Sequence, residues 1–217
     1  MDIKNKLKDR KLKEQEKKVD DILAAAKRIF SQKGFLKTTM DEIAYEAALS
    51  KPTIYKFFPT KEDLYFSLVI PVLEDCLKQM EEINLTLQLN IYSTGRKLLR
   101  DIANVFFNKY KEDPHMFRIG QLFQQAGMLW SLDKKTDSAI RDVSRAIMDE
   151  MRSIIIAAQT RRLFRESDAR ATAKIIMGSV YGITQLHDSK LGSKSSETMD
   201  KIIEETVLFF ERAIVFN

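Results

Sequence analysis

The stretch Thr39 to Lys61, TMDEIAYEAALSKPTIYKFFPTK, decides how the rest of the chain is read. Thr39 followed three residues later by Glu42 forms a capping box, in which each residue satisfies a backbone N–H that a helix start leaves unpaired. A helix therefore begins there, with Ile43 and Ala47 on its inward face. Ala48-Leu49-Ser50 interrupts it after about two turns. Ser50 is placed to cap a second helix, and Pro52 falls in its first turn, where a missing N–H costs nothing. That second helix carries Lys51 to Phe57. Ile54, with Phe57 or Phe58, faces inward at helical spacing, while Lys51, Thr53, Tyr55 and Lys56 face out.

Two short helices joined by a tight turn make a helix-turn-helix, whose second helix enters the DNA major groove. The outward side is basic, hydroxyl-bearing and aromatic, which suits phosphates and base edges. Ser50 to Lys61 holds three lysines and no acid. The same spacing also fits an ordinary helical hairpin inside an all-α domain, so spacing alone leaves both readings open.

A wider set of spaced residues is more specific. Ala25 and Phe30 in a first helix, Gly34 at its end, Thr39 as cap, Ile43-Ala44, Thr53-x-Tyr55, Phe58 and Lys61-Glu62-x-Leu64 follow one another from about Asp21 to Leu64. In this order they resemble the DNA-binding domain of the tetracycline-repressor (TetR) family of transcriptional regulators. One position departs from that pattern: Ala48 stands where the family usually has glycine in the turn. If the turn needs φ > 0 there, alanine costs about 1–2 kcal/mol locally. Beyond Leu64 only the helical layout is similar.

Composition bounds the rest. The 217 residues are 44% hydrophobic with only 7 Gly and 4 Pro, enough for a sizeable core, and long stretches show helical rather than alternating periodicity. The fold class expected is all-α: an N-terminal three-helix domain with the helix-turn-helix, then a C-terminal helical ligand-binding and dimerisation domain. The expected divisions are a basic arm at 1–18, a DNA-binding domain at 19–64 and an effector-binding and dimerisation domain at 65–217. The single Cys76 fits a reducing, cytoplasmic setting. Neither a secretory signal nor an apolar run of membrane-spanning length is expected.

The net charge of +5 is unevenly placed. Residues 1–18 carry eight Lys/Arg against four acids, residues 19–63 seven against seven, and 64–217 carry 21 against 20. The excess is thus the N-terminal arm. It lacks an apolar stripe and is expected to be mobile, helical only toward its end. It reads either as an arm reaching phosphates or the minor groove or as a solvated tail.

Along the chain, a first helix is expected over Val19–Lys33, stopped by Gly34. Pro59-Thr60 with Asp63 starts a fourth, and Pro71 is expected to kink or restart it. Asn84–Ser93 reads as a loop. Helices follow from Thr94 to Lys111, from Asp113-Pro114 to Ala126, and from Asp137 to Leu163. Two final helices, about 168–188 and 196–216, are expected to pair with a second subunit. Ala171, Gly178 and Gly182 allow close approach on the first, and the second is apolar nearly all round. The resemblance implies the same surface, a four-helix bundle in a homodimer, and hence two recognition helices on a palindromic double-stranded operator. Burial within one chain is the competing reading of those two helices.

Enzyme chemistry finds little support. His115 and His187 have no second ligand at i+4, and no HExxH, CxxC, GxSxG or GxxxxGKS is present. No cofactor and no metal are expected. Aromatic residues and methionines across the middle helices read first as core. As a set, and with an effector pocket implied by the resemblance, Phe106, Tyr110, Phe117, Phe123, Trp130, Met151, Met177 and Tyr181 point to an apolar or amphipathic small ligand.

The expected function is therefore a sequence-specific transcriptional regulator, a repressor released by a small-molecule effector. Its DNA contacts would be Thr39, Ser50, Lys51, Pro52, Thr53, Tyr55, Lys56 and Lys61. Two other readings remain: an all-α small-molecule-binding protein without operator binding, and a helical enzyme on the same pocket.

Overall fold

The computed structural model describes residues 3–114, 116–117, 132–188 and 198–216. Within them lie eight helices: α1 (Ile3–Lys33), α2 (Met40–Glu46), α3 (Lys51–Phe57), α4 (Lys61–Gln88), α5 (Gly95–Glu112), α6 (Lys134–Thr160), α7 (Ala169–Asp188) and α8 (Met199–Ile214). No strand forms among the described residues beyond one antiparallel bridge between Phe164 and Val215. The helices group into two compact units. One comprises residues 1–71 and 122–140, the other 72–121 and 141–217.

In the first unit α1 packs on α2 and α2 on α3. Ile22, Ala25, Ala26 and Phe30 of α1 are buried with Met40, Ile43 and Ala44 of α2 and Ile54 of α3, the i, i+3, i+4 rows expected of helices sharing a core. Gly34 ends α1 with φ +74°, its N–H donating to the Phe30 carbonyl, and Phe35 turns back against Phe30 and Tyr65 with ring centroids 5.7 and 5.1 Å apart. Thr60 and Asp63 close the start of α4. The Thr60 hydroxyl donates to Asp63 Oδ2 at 2.6 Å, and buried Asp63 also accepts from the Asp133 N–H at 2.9 Å.

The sequence expectations for the arm need correction. Residues 3–18 are a continuous extension of α1 rather than a mobile tail. Residues 5–18 are all exposed, but Lys, Arg, Leu, Gln and Glu are strong helix formers, the packed part of α1 supplies the nucleus, and Arg10 pairs with Glu14 at i+4. Of the two outcomes expected at Pro71, a restart does not occur, since α4 runs through it without a break.

The stretch Asn84–Ser93 is also corrected: Asn84 to Gln88 form the last turn of α4. Leu87 is fully buried, and Asn84 Nδ2 donates to Glu150 Oε1 at 2.6 Å and Ser153 Oγ at 3.3 Å. Leu85 and Leu89 are exposed.

In the second unit α5 is the central element, packed against α7 and α8. Thr94 caps it by accepting from the Lys97 N–H. One cluster joins Leu98, Ile102, Phe106 and Phe107 of α5 to Met80 and Leu87 of α4, Met151, Ile154 and Ile155 of α6, Ile176 and Val180 of α7, and Val207 and Phe210 of α8. The start of α6 lies earlier than the sequence indicated, at Lys134, because Asp133 is its cap. Its carboxylate accepts from the Lys135 and Thr136 N–H groups and from the Thr136 hydroxyl, first among the causes holding its pKa down.

Two clamps close this unit. The Arg161 guanidinium donates to the Leu87 and Gln88 carbonyls at the end of α4, satisfying acceptors a helix terminus leaves open. Around the Phe164–Val215 bridge, the Arg165 N–H donates to the Ile214 carbonyl at 2.7 Å and the Phe216 N–H to the Leu163 carbonyl at 3.2 Å. Gly95 lies directly beneath: a Cβ there would stand 2.3 Å from the Leu163 carbonyl oxygen. The helix expected from Asp113 through Ala126 falls largely outside the described residues, as does the loop at 189–197.

Candidate nucleic-acid interface

The hairpin of α2 and α3 is built almost entirely by its ends. Thr39 Oγ1 accepts from the Glu42 N–H at 3.3 Å and Glu42 Oε2 accepts from the Thr39 N–H at 3.0 Å, which completes the expected capping box. Lys33 Nζ donates to Glu42 Oε1 at 2.5 Å. This ion pair, followed by the Thr39 N–H bond, holds the Glu42 carboxyl below its usual range. Arg28 pairs with Glu46 at 2.8 Å, so Glu42 and Glu46, at opposite ends of α2, both meet bases of α1.

The turn is a Schellman motif. The Ala48 N–H donates to the Tyr45 carbonyl and the Leu49 N–H to the Ala44 carbonyl, with Ala48 in the left-handed region at φ +53°. The position read as wanting glycine does adopt the backbone that glycine tolerates best. Asn90 and Arg162 occupy the same place after α4 and α6, at φ +59° and +55°, with the same pairs of hydrogen bonds.

The start of α3 differs from expectation. Ser50 has the extended backbone of a cap, but its side chain accepts no backbone hydrogen bond; its hydroxyl instead pairs with Thr53 Oγ1 at 2.7 Å. Pro52 explains part of this, since it removes one of the N–H groups a cap would serve. Ile54 and Phe58 are the inward residues, four apart, and Phe57 is half-buried.

On the outer side Lys51, Pro52, Tyr55 and Lys56 are exposed and Thr53 is half-buried. Lys51 Nζ donates to Asp41 Oδ2 at 2.8 Å, which raises its pKa. Lys56 makes no ion pair among the described residues. Lys61 is held differently: its ammonium donates to the Phe35 and Thr38 carbonyls, both at 2.9 Å, and lies 4.4 Å from the Phe35 ring centroid. It ties the α1–α2 connection to the start of α4, and two of its three N–H donors are thereby used.

Sequence reading missed Tyr45, 87% exposed and four residues after Asp41 on the same face of α2. The signal was available, because the i, i+4 step from Asp41 leads outward while Met40, Ile43 and Ala44 lead inward.

Residues 22–68, which hold this hairpin and the helix supporting it, match the family model described as "Bacterial regulatory proteins, tetR family". Over these residues the chain is similar to the DNA-binding domain of that family. It is 28% identical over 99 residues to the HTH-type transcriptional regulator EthR of Mycolicibacterium smegmatis, covering 46% of this chain and 44% of that protein. To the HTH-type transcriptional repressor NicS of Pseudomonas putida it is 26% identical over 161 residues, 74% of this chain and 72% of that one. The first of these alignments thus spans less than half of the relative. In fold the chain is similar to the regulator FadR of Bacillus subtilis, solved in complex with stearoyl-CoA, with a TM-score of 0.62 at 18% identity over 86% of this chain and 94% of that one.

Six of the other residues singled out from the sequence lie in the second unit. Phe106, Tyr110, Met151 and Met177 are buried, and Phe117 and Tyr181 half-buried. Tyr110, Phe117 and Tyr181 form a line of rings, 5.6 and 5.9 Å between successive centroids. The Tyr110 hydroxyl lies 3.0 Å from His187 Nδ1. Phe123 and Trp130, with His115, fall outside the described residues.

The two helices expected at a subunit interface carry apolar residues to the surface. Ile175 and Leu186 on α7 and Phe209 on α8 are exposed. Gly178 and Gly182 have nothing within 4 Å of where a Cβ would stand. Ser179, Ile183, Ile202, Glu205, Thr206, Phe209 and Phe210 line an open groove between α7 and α8. No helix among the described residues is long and apolar enough to cross a membrane, and no cluster of three or more His, Cys, Asp or Glu there could hold a metal ion.

Proposed function

We propose that the chain is a DNA-binding transcriptional regulator, a homodimeric repressor that leaves a palindromic operator when an apolar or amphipathic effector binds. The observation that carries this reading is the α2–α3 hairpin, whose caps and turn present Lys51, Thr53, Tyr55 and Lys56 on one open face. Lys51 and Lys56 serve phosphates and base edges, Thr53 and Tyr55 base edges and thymine methyls, and the α2 start at Thr39 a phosphate. Ser50 and Pro52 hold the entry of α3. Lys61 acts first by positioning the connection between α1 and α2, with one donor left for a phosphate.

The exposed faces of α7 and α8 support dimerisation, since Ile175, Leu186 and Phe209 left in water would be an unusual apolar surface. The ring line of Tyr110, Phe117 and Tyr181, with Phe106, Met151 and Met177, supports an effector site in the second unit. The stearoyl-CoA bound by FadR and the similarity to the repressor NicS support the ligand class and the sign of regulation.

Selection of sequences from a random duplex pool by the purified protein tests the proposal. A single palindrome recovered by the native chain and lost by Lys56→Ala is expected. Recovery of no sequence above nonspecific binding would leave the small-molecule-binding reading in its place.

A further inference from the structure

The charge of the first unit is in the wrong place for a hairpin that binds DNA by itself. Residues 19–63 are neutral, with seven bases and seven acids. Three of those bases, Arg28, Lys33 and Lys51, are paired with Glu46, Glu42 and Asp41, and Lys61 is bonded to two carbonyls. The positive surplus sits instead on the α1 extension, a helix continuous with the helix that packs on α2.

The bases on that extension are ordered. Lys6, Arg10, Lys13 and Lys17 follow at steps of four, three and four, which places them in one row along the helix. Lys8, Lys11 and Lys18 follow at steps of three and seven, in a second row on the opposite side, collinear with the buried Ile22. All seven are exposed. The acids Asp9, Glu14 and Glu16 fall between the rows; Glu14 pairs with Arg10 at 3.2 Å, the one ion pair on this segment among the described residues, and both side chains stay more exposed than those of the Arg28 and Lys33 pairs. Neither row covers any apolar surface, and a solvated helix gains nothing from two like-charged rows that repel along their length.

Two basic rows on opposite sides of a helix about 10–12 Å across match the major groove, about 12 Å wide and bounded on each side by a phosphate strand. Continuous basic helices enter DNA in this way. From Asn5 to Lys18 the extension is about 20 Å long, enough to cross one groove.

We propose that the α1 extension is a second DNA-binding element, lying in a major groove beside the one read by α3, with Lys6, Arg10, Lys13 and Lys17 on one phosphate strand and Lys8, Lys11 and Lys18 on the other. This rests on the DNA-binding reading above and adds to it a nonspecific contact made by a different helix. It makes most of the salt-dependent affinity a property of the extension, and leaves selectivity to the hairpin.

The test uses the full chain and a fixed 40-base-pair duplex of arbitrary sequence, with affinity measured across salt concentration. Three variants are compared: Lys6, Arg10, Lys13 and Lys17 all to Gln; Lys8, Lys11 and Lys18 all to Gln; and, as a charge control, Lys134, Lys135, Arg152 and Lys174 all to Gln. Glutamine keeps the helix, which circular dichroism verifies. The first variant is expected to lower the slope of log affinity on log salt by about 3 to 4 units, the second by about 2 to 3, and the control by less than about one. Loss from only one row would overturn the groove geometry, and equal loss from the control, or none from either row, would overturn the proposal. Operator selection is read separately: no palindrome with row-dependent slopes intact defeats the regulator reading alone, and a palindrome with flat slopes defeats the extension alone.

Discussion

The α2–α3 hairpin and the α5–α8 assembly are both helical, yet they are held by different means. Each hairpin helix is seven residues long, too short to be stable from its own hydrogen bonds. A capping box, a Schellman turn and ion pairs at its ends do most of the shaping, around a core reduced to Met40, Ile43, Ala44 and Ile54. In the second unit α5, α7 and α8 are 16 to 20 residues long, and one continuous cluster of side chains from five helices holds them. Exposed caps and ion pairs contribute about 1 kcal/mol or less apiece, whereas each large buried side chain contributes several. The surface proposed to face DNA thus stands on the weaker scaffold, where a conformational adjustment on binding costs least.

The largest effect expected from this contrast is in the second unit. Phe107, fully buried on α5, should cost about 3–5 kcal/mol when changed to Ala, read as a lower urea midpoint of the main helical transition. A cost below about 1 kcal/mol would mean that the cluster is not what holds the unit.

A smaller effect belongs to the hairpin. Thr39→Ala removes the acceptor for the Glu42 N–H and should cost about 1 kcal/mol locally. Affinity for duplex DNA should fall with little change in that urea midpoint, and a shift as large as that of Phe107→Ala would erase the distinction between the two regions.

The smallest effect has the opposite sign. Ala48→Gly relieves the left-handed strain at φ +53° at the expense of a freer unfolded chain, and should stabilise the hairpin by a few tenths to about 1 kcal/mol. Slower amide hydrogen exchange in α2 and α3 would report it, and faster exchange would show that the Schellman turn is not under strain.

The same contrast governs what could be read from the sequence. Caps and turns are local, so Thr39 with Glu42, the break at Ala48 and the inward Ile54 were visible within a window of a few residues. Ser50 failed as a side-chain cap because its hydroxyl had a second partner, Thr53, that spacing could not rank against a backbone N–H. In the second unit the end of α4 was missed because Asn84 finds its partners 66 and 69 residues away, at Glu150 and Ser153. Asp133 was passed over as a cap for α6 although it stands just ahead of the helix. Lys61 looked like a free cation because nothing in its neighbourhood reveals that Phe35 and Thr38 turn their carbonyls toward it.

The strap around Phe164 and Val215 sets an order on events during synthesis. The contacts that shape α1, α2 and α3 all fall within a short span of sequence, so they become available early as the chain is made. Gly95, by contrast, waits under a carbonyl whose own partner is the Phe216 N–H, and the bonding around the start of α5 is incomplete until residue 216 has been added. The weaker scaffold is therefore complete first, and the stronger one last.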